Sequence, residues 1–172
     1  DEAFELKKNP QTRPYVRQFV GAEELINGKQ RYCLWIEDQD AKAVRQNSFI
    51  AHRLSLVSEN RLRSGASSTR EFANRPHRFV QIGGVAKQHA IFVAGVSSEN
   101  RQYLPCDLVP ADYIASNKCF ALYDAPLWNL ALIASRLHWV WIGTVCVRLE
   151  MRFSYSNTVG WNTFPIPTLT EK

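Results

Sequence analysis

Close-set cysteines are missing from this sequence. Its four cysteines, Cys33, Cys106, Cys119 and Cys146, stand far apart, whereas a zinc site normally draws ligands from a short pair. That spacing excludes a zinc finger or ribbon, and no metal site is expected. Reduced, buried thiols in a cytoplasmic protein without a secretory leader are the expectation. Long apolar runs are missing too. The longest, around Ala131 to Val145, is broken by Ser135, Arg136 and His138, which excludes a membrane-spanning helix. Neither GxGxxG nor a P-loop occurs, so nucleotide cradling has no support. The GxSxG serine elbow and the HExxH zinc helix are absent. So is the Asn/Asp-Pro-Pro-aromatic tetrapeptide that positions an amino group for methylation. Asp40-Ala41-Lys42 looks like the tail of a nuclease motif but lacks an upstream acidic partner and reads as surface. The chain carries no catalytic constellation and is not expected to be an enzyme by itself. It opens at Asp1 without an initiating Met, so an excised piece of a longer chain is expected.

What is present is an ordinary globular composition. Of 172 residues, 45% are hydrophobic and 22% charged, enough for one domain with a real core. The net charge of +5 and the pI near 9.2 favour a polyanionic partner without proving one. There is no repeat and no low-complexity segment.

Residues 1–18, with mixed charge, Pro10 and Pro14, read as a linker arm. A turn-rich lead from Gly21 to Gly28 enters a strand over 31–36, which stops at Glu37-Asp38-Gln39-Asp40. The spacing of Ile50, Leu54, Val57 and Leu62 predicts a helix over about 48–63. Between 52 and 78 lie six arginines (Arg53, Arg61, Arg63, Arg70, Arg75 and Arg78) against Glu59 and Glu71. With the small polar loop Ser64–Thr69, this segment suits a grip on phosphates, or it is simply a solvated charged surface. Strands are expected at 77–82 and 89–96 around Gly83-Gly84, then a polar turn at 97–101. A short strand Tyr103–Pro105 and another from Lys118 to Tyr123 follow. Pro126 opens a largely buried helix over about 127–141, in which His138 is expected to be packed and hydrogen-bonded. Asn157–Gly160 turns into a tail whose two prolines end regular structure. Helices and strands intermingle without a steady βαβ rhythm. The expected fold class is α+β, with a mixed, mostly antiparallel sheet.

Residues 147–156 are the most informative. Val147, Leu149, Met151, Phe153 and Tyr155 alternate with Arg148, Glu150, Arg152, Ser154 and Ser156. The period of two predicts one strand with its apolar face on a core. Its other face would display residue types that read base edges: Arg for guanine, Glu for the cytosine amino group, Ser for either role. A solvated face whose charges pair across the pleat carries the same pattern.

Four segments together resemble one family. They are Phe19–Trp35; Arg101-Gln102-Tyr103-Leu104-Pro105; Leu137-His138-Trp139-Val140-Trp141 running into Val145–Leu149; and Tyr155–Thr158 through Asn162–Pro165. They are similar to the target recognition domain of MmeI-like restriction-modification enzymes, in which endonuclease, adenine methyltransferase and DNA-reading domain share one chain. The similarity covers nearly the whole chain in the same order. Val147 stands where the family usually has glycine, Trp161 where it has tyrosine, and Ile166 where it has tryptophan.

The resemblance implies that the residues after Arg148-Leu149 choose the recognised base pairs. Carried over, these are Glu150, Arg152 and Ser154, with Lys118 as a further partner. It assigns 19–164 to target recognition and 165–172 to the start of a following linker. Duplex DNA is the implied partner, together with a methyltransferase domain of the same parent chain. Arg53, Arg61, Arg63, Arg70, Arg75, Arg78 and Arg148 would hold the DNA backbone. No cofactor is expected in this segment; S-adenosylmethionine would belong to the parent's methyltransferase domain, in the bacterial cytoplasm. Two other classes stay open on the residues alone. One is a protein-interaction module docking through Trp161–Pro167. The other is a single-strand or RNA binder that stacks bases on Tyr and Trp.

Overall fold

The computed structural model describes residues 2–81 and 83–166. In chain order the elements are α1 (Glu2–Lys8), β1 (Val16–Val20), α2 (Ala22–Asn27), β2 (Tyr32–Leu34), α3 (Ser48–Leu62) and α4 (Ser67–Glu71). They continue with β3 (His89–Ala94), β4 (Val96–Ser98), β5 (Cys106–Pro110), β6 (Ile114–Ala115) and β7 (Cys119–Tyr123). The last are α5 (Trp128–Ile133), α6 (Arg136–Val145), β8 (Val147–Leu149) and β9 (Arg152–Ser154). All strand pairs but β1–β6 are antiparallel, which agrees with the α+β expectation. The chain divides into two compact units, one from residues of 1–18 and 32–83, the other from residues of 19–31 and 84–172.

The first unit is built on α3. Asn47 caps it, its Oδ1 accepting from the amides of Phe49 at 3.1 Å and Ile50 at 3.2 Å, which offsets the unpaired donors of a helix start. Ile50 and Leu54, one turn apart, face a small core with Ile36 and Val44. Val57 and Leu62, expected on the same apolar stripe, are exposed. Residues 2–18 contain α1, a 3-10 turn (Arg13–Tyr15) and the first part of β1, and Thr12 is fully buried with its hydroxyl donating to the Leu6 carbonyl at 2.6 Å. β1 pairs with β2 from Val16↔Leu34 to Gln18↔Tyr32.

The second unit is organised by β3, the middle strand of the antiparallel sheet β5-β3-β7. Ala90 to Ala94 are all fully buried, because β3 packs on both faces and so carries a continuous apolar run. Ile91 and Val93 face a cluster with Leu104, Ile133, Trp139, Ile142, Phe153 and Tyr155. Ala90 and Phe92 face a second cluster with Val20, Ala86 and Val109. Burying each large side chain contributes about 1.5–3 kcal/mol. Here β1 ends against β6, with Phe19↔Ile114 and Val20↔Ala115 in parallel register.

Several elements differ from expectation. The helix over 127–141 is two helices, because the Ser135 hydroxyl accepts from the His138 amide at 3.1 Å and starts α6 afresh. It is also less buried than expected, with Leu127, Trp128, Leu137 and Val140 exposed. The strand over 89–96 breaks at Gly95, and Ser97-Ser98, expected in a turn, belong to β4. Tyr103–Pro105 is irregular, and the strand begins at Cys106. Residues 77–81 are turns and bends rather than a strand; Ile82 lies outside the described residues. There Phe79 stacks on Trp35 at 5.7 Å, so the segment packs through its ring instead of a ladder. Gly21–Asn27 holds a helix, its start fixed by Glu24, whose carboxylate accepts from the Gly21 amide at 2.7 Å.

Candidate nucleic-acid interface

The ten-residue strand expected over 147–156 is a hairpin. β8 and β9 pair in antiparallel register, Val147↔Ser154, Arg148↔Phe153 and Leu149↔Arg152, around the two-residue turn Glu150-Met151. Glu150 has a φ of +54°, the left-handed conformation such turns require and a Glu side chain disfavours. A two-residue turn swaps parity between its strands. Directly paired residues share a face, so odd positions of β8 lie with even positions of β9.

One face therefore carries Val147, Leu149, Arg152 and Ser154, and the other Arg148 and Phe153. β4 extends both faces, with Val96↔Ser154, Ser97↔Phe153 and Ser98↔Arg152. Phe153 is buried at 6% exposure, edge-on to Trp139 at 5.1 Å, and Ser97 is buried beside it in register. Val147 and Leu149, expected in the core, are 68% and 54% exposed, and Met151 is exposed too. Alternation held from Phe153 to Tyr155 and failed in β8, because the turn reverses which parity faces inward.

Beyond β9, Tyr155 locks the inner face. Its ring is edge-on to Phe120 at 5.4 Å, and its hydroxyl lies 3.3 Å from His138 Nε2. His138 is fully buried among Tyr155, Trp161 and Phe164, the packed, hydrogen-bonded role expected of it. Burial holds its pKa down to about 4. An unfolded histidine titrates near 6.5. Below that pH the unfolded chain takes up a proton that the folded chain refuses until about pH 4. Stability from this group is whole above pH 6.5 and falls as pH drops towards 4, by on the order of 3 kcal/mol. Urea midpoints should fall between pH 7 and pH 5; an unchanged or rising midpoint is incompatible with a neutral buried His138.

The expected base-reading residues come together in this unit. Glu150 stands at the hairpin tip, and Arg152 and Ser154 lie on the outer face of β9. Lys118 is exposed just before β7; its carbonyl accepts from the Gly95 amide at 3.1 Å, and the Gly95 carbonyl accepts from the Tyr155 amide at 2.9 Å. Lys118 thus sits across one residue from the end of β9. Among the described residues no side-chain hydrogen bond or ion pair engages Glu150, Arg152, Ser154 or Lys118. Arg148 differs: its guanidinium covers the Phe153 ring at 4.8 Å and meets Glu99 at 3.3 Å.

The arginines of 52–78 all lie in the first unit, and most are engaged there. Arg61 donates to the carbonyls of Phe72 (2.9 Å), Arg75 (3.0 Å) and Arg78 (2.6 Å), and burial lowers its pKa. Arg70 donates to the Ser64 and Gly65 carbonyls at 2.7 and 2.8 Å. Arg75 pairs with Asp38 at 2.9 Å, Arg78 with Glu37, and Arg53 with Glu2. Hydrogen bonds from Arg78 and then Trp35 hold the Glu37 carboxyl below its usual range. Arg63 is exposed, with no side-chain partner among the described residues. A count over 52–78 misses this neutralisation because Glu2, Glu37 and Asp38 lie outside it.

All four cysteines are free. Burial pushes the Cys106 thiol up to about 11 and the Cys119 thiol to about 12, so neither is a nucleophile near neutral pH. Among the described residues no group of three or more His, Cys, Asp or Glu could hold a metal ion, and no helix is long and apolar enough to cross a membrane.

Val147 and Leu149 share the outer face with Arg152 and Ser154, a placement the sequence pattern did not indicate. A turn signal such as Asn-Gly would have shown it; Glu150-Met151 carries none.

Comparison with known proteins gives three concordant matches. The family model described as MmeI, target recognition domain, matches residues 1–168. DNA methyltransferase A of Bacillus subtilis (strain 168) is 36% identical over 167 residues, 97% of this chain and 19% of that protein. The structure of the type IIL restriction-modification enzyme MmeI in complex with DNA is similar at a TM-score of 0.89 and 33% identity, over 99% of this chain and 23% of that one. The chain thus spans about a fifth of the length of the relatives it matches. By sequence and fold together, it belongs to the MmeI target recognition domain family.

Proposed function

We propose that this chain selects the DNA sequence on which a larger methyltransferase acts, by reading base edges in the major groove with the β8–β9 hairpin. The observation that carries the reading is the outward display of Glu150, Arg152 and the half-buried Ser154, without side-chain partners among the described residues, on a hairpin pinned from beneath by Phe153 and Tyr155. A β-ribbon fits the major groove, and an anchored one holds its side chains at fixed spacing. Glu150 accepts from a cytosine amino group while Arg152 donates to the O6 and N7 of the paired guanine. Ser154 and Lys118 read a neighbouring position.

Backbone contacts supply affinity and register. Arg63 is the cation of the basic segment without a side-chain partner among the described residues. Arg53, Arg70, Arg75, Arg78 and Arg148 reach phosphate only by sharing or exchanging their present partners. Arg61, bound to three carbonyls, acts as a strut in the loop that presents the others.

The rest of the parent chain supplies adenine methylation from S-adenosylmethionine, with or without an endonuclease, in the bacterial cytoplasm near the nucleoid. The tetrapeptide that would position an amino group for methylation is missing from this segment's sequence. We assign the cofactor and the reacting base to the methyltransferase part of the parent.

Titrating the full-length protein with duplex and single-stranded DNA tests the reading. Duplex should bind more tightly, and log K should fall linearly with log salt. Arg63→Ala should reduce that slope by about one while weakening all sequences alike. Equal binding to single strands, or a salt-independent affinity, would overturn it.

A further inference from the structure

The outer face of the hairpin holds more than polar readers. Val147 lies directly across from Ser154 and Leu149 directly across from Arg152, and both apolar side chains are more than half exposed. Neither is needed by the core, which Phe153 fills from the opposite face. Cross-strand partners stand about 4.5–5.5 Å apart at Cβ, between one and two of the roughly 3.4 Å steps along the duplex axis. An arginine reaching guanine from β9 therefore brings the β8 side chains to the neighbouring step.

We propose that Val147 and Leu149 form an apolar strip that reads the C5-methyl group of thymine beside the base pair addressed by Arg152. The inference rests on the major-groove reading above and adds a second kind of contact to it. The thymine methyl is the one apolar feature of the major-groove edge, and aliphatic side chains recognise it by contact. Duplex DNA is the occupant because the strip is continuous with Arg152, Ser154 and Ser98 on one sheet face. An interface with another protein surface would have to bury those polar groups as well.

Deoxyuridine is the probe, since it keeps every hydrogen-bonding edge of thymidine and removes only the methyl. The recognised sequence is first read from the methylation pattern of the full-length protein. Each thymine in that site and its two flanking positions is then replaced singly by deoxyuridine. At one position the unaltered protein should bind about fourfold to tenfold more weakly, the scale of one lost apolar group. In Leu149→Ala or Val147→Ala the same replacement should change binding by less than about twofold, so that the two alterations are coupled.

The strip is not a methyl reader if no thymine is sensitive, if the site offers none, or if the sensitivity persists in both variants. It is refuted equally if the variants bind every duplex normally but lower the melting temperature of the full-length protein, which would place the strip against another part of the chain. Exchange of Glu150 and Arg152 distinguishes the two levels. If that exchange changes specificity while deoxyuridine has no effect, only the apolar strip fails. If the exchange has no effect, the groove reading itself fails.

Discussion

Replacing Glu150 by Lys and Arg152 by Asp together in the full-length protein should move its preference at one base pair from C·G to G·C. The chemistry is reciprocal. On the proposed reading, the original pair has a carboxylate that accepts from the cytosine amino group and a guanidinium that donates to guanine; in the exchanged pair an ammonium donates to guanine and a carboxylate accepts from cytosine. Each contact is worth about 1–3 kcal/mol of discrimination, roughly fivefold to 150-fold per residue. Either residue changed alone should relax the position rather than convert it, because its neighbour then faces the wrong edge. The methylation pattern, read across a genome by modification-sensitive sequencing, decides the matter. Continued modification of only the original site would show that these two side chains do not read that pair.

Phe153→Ala should be the most damaging single change to the hairpin. The ring is buried, edge-on to Trp139 at 5.1 Å, and close enough to Gly143 that a Cβ added there would meet it at 3.4 Å. Arg148 covers another side. Removing a ring from such a site costs about 3–5 kcal/mol, the lost transfer energy plus the cavity left behind. Leu149→Ala, on the opposite face, should cost less than about 0.5 kcal/mol. Chemical denaturation of the two variants side by side tests which way up the hairpin lies. Equal losses, or a larger loss for Leu149, would mean that the inner and outer faces are reversed.

The sequence was most readable where one physical constraint acted alone. α3 is found almost where apolar spacing put it, helped by the Asn47 cap, and β7 occupies all but one residue of its expected range. The mixed, mostly antiparallel α+β class also followed from the pattern. Legibility failed where two requirements competed. Ser135 prefers to cap rather than continue a helix, and it divides what looked like one element. Gly95 interrupts a strand that apolar content alone would extend. The parity swap at Glu150-Met151 sent three apolar side chains outward, although the alternation around them is unbroken.

The candidate site was legible in composition and position but not in geometry. Periodicity placed Glu150, Arg152 and Ser154 on an outer surface; Glu150 and Arg152 are exposed and Ser154 half-buried, on a turn and one strand rather than along a single ribbon edge. Local charge suggested a free basic surface over 52–78. Long-range pairs with Glu2, Glu37 and Asp38 use up much of it, and pairing at that sequence distance has no local signal.

The backbone at Glu150 sets limits on how this protein's preference can evolve. At a positive φ any Cβ crowds the following carbonyl oxygen, a penalty of about 1–2 kcal/mol that is most severe for branched Val, Ile or Thr, eased for Asn or Asp and absent for Gly. Position 152, in extended backbone within β9, has no such filter. Variation at the tip is therefore funnelled towards flexible, unbranched side chains, whereas the strand accepts nearly any shape. Under the proposed readout, the two residues addressing one base pair would then draw from different alphabets, and new target sequences should arise more readily through changes at 152 than at 150.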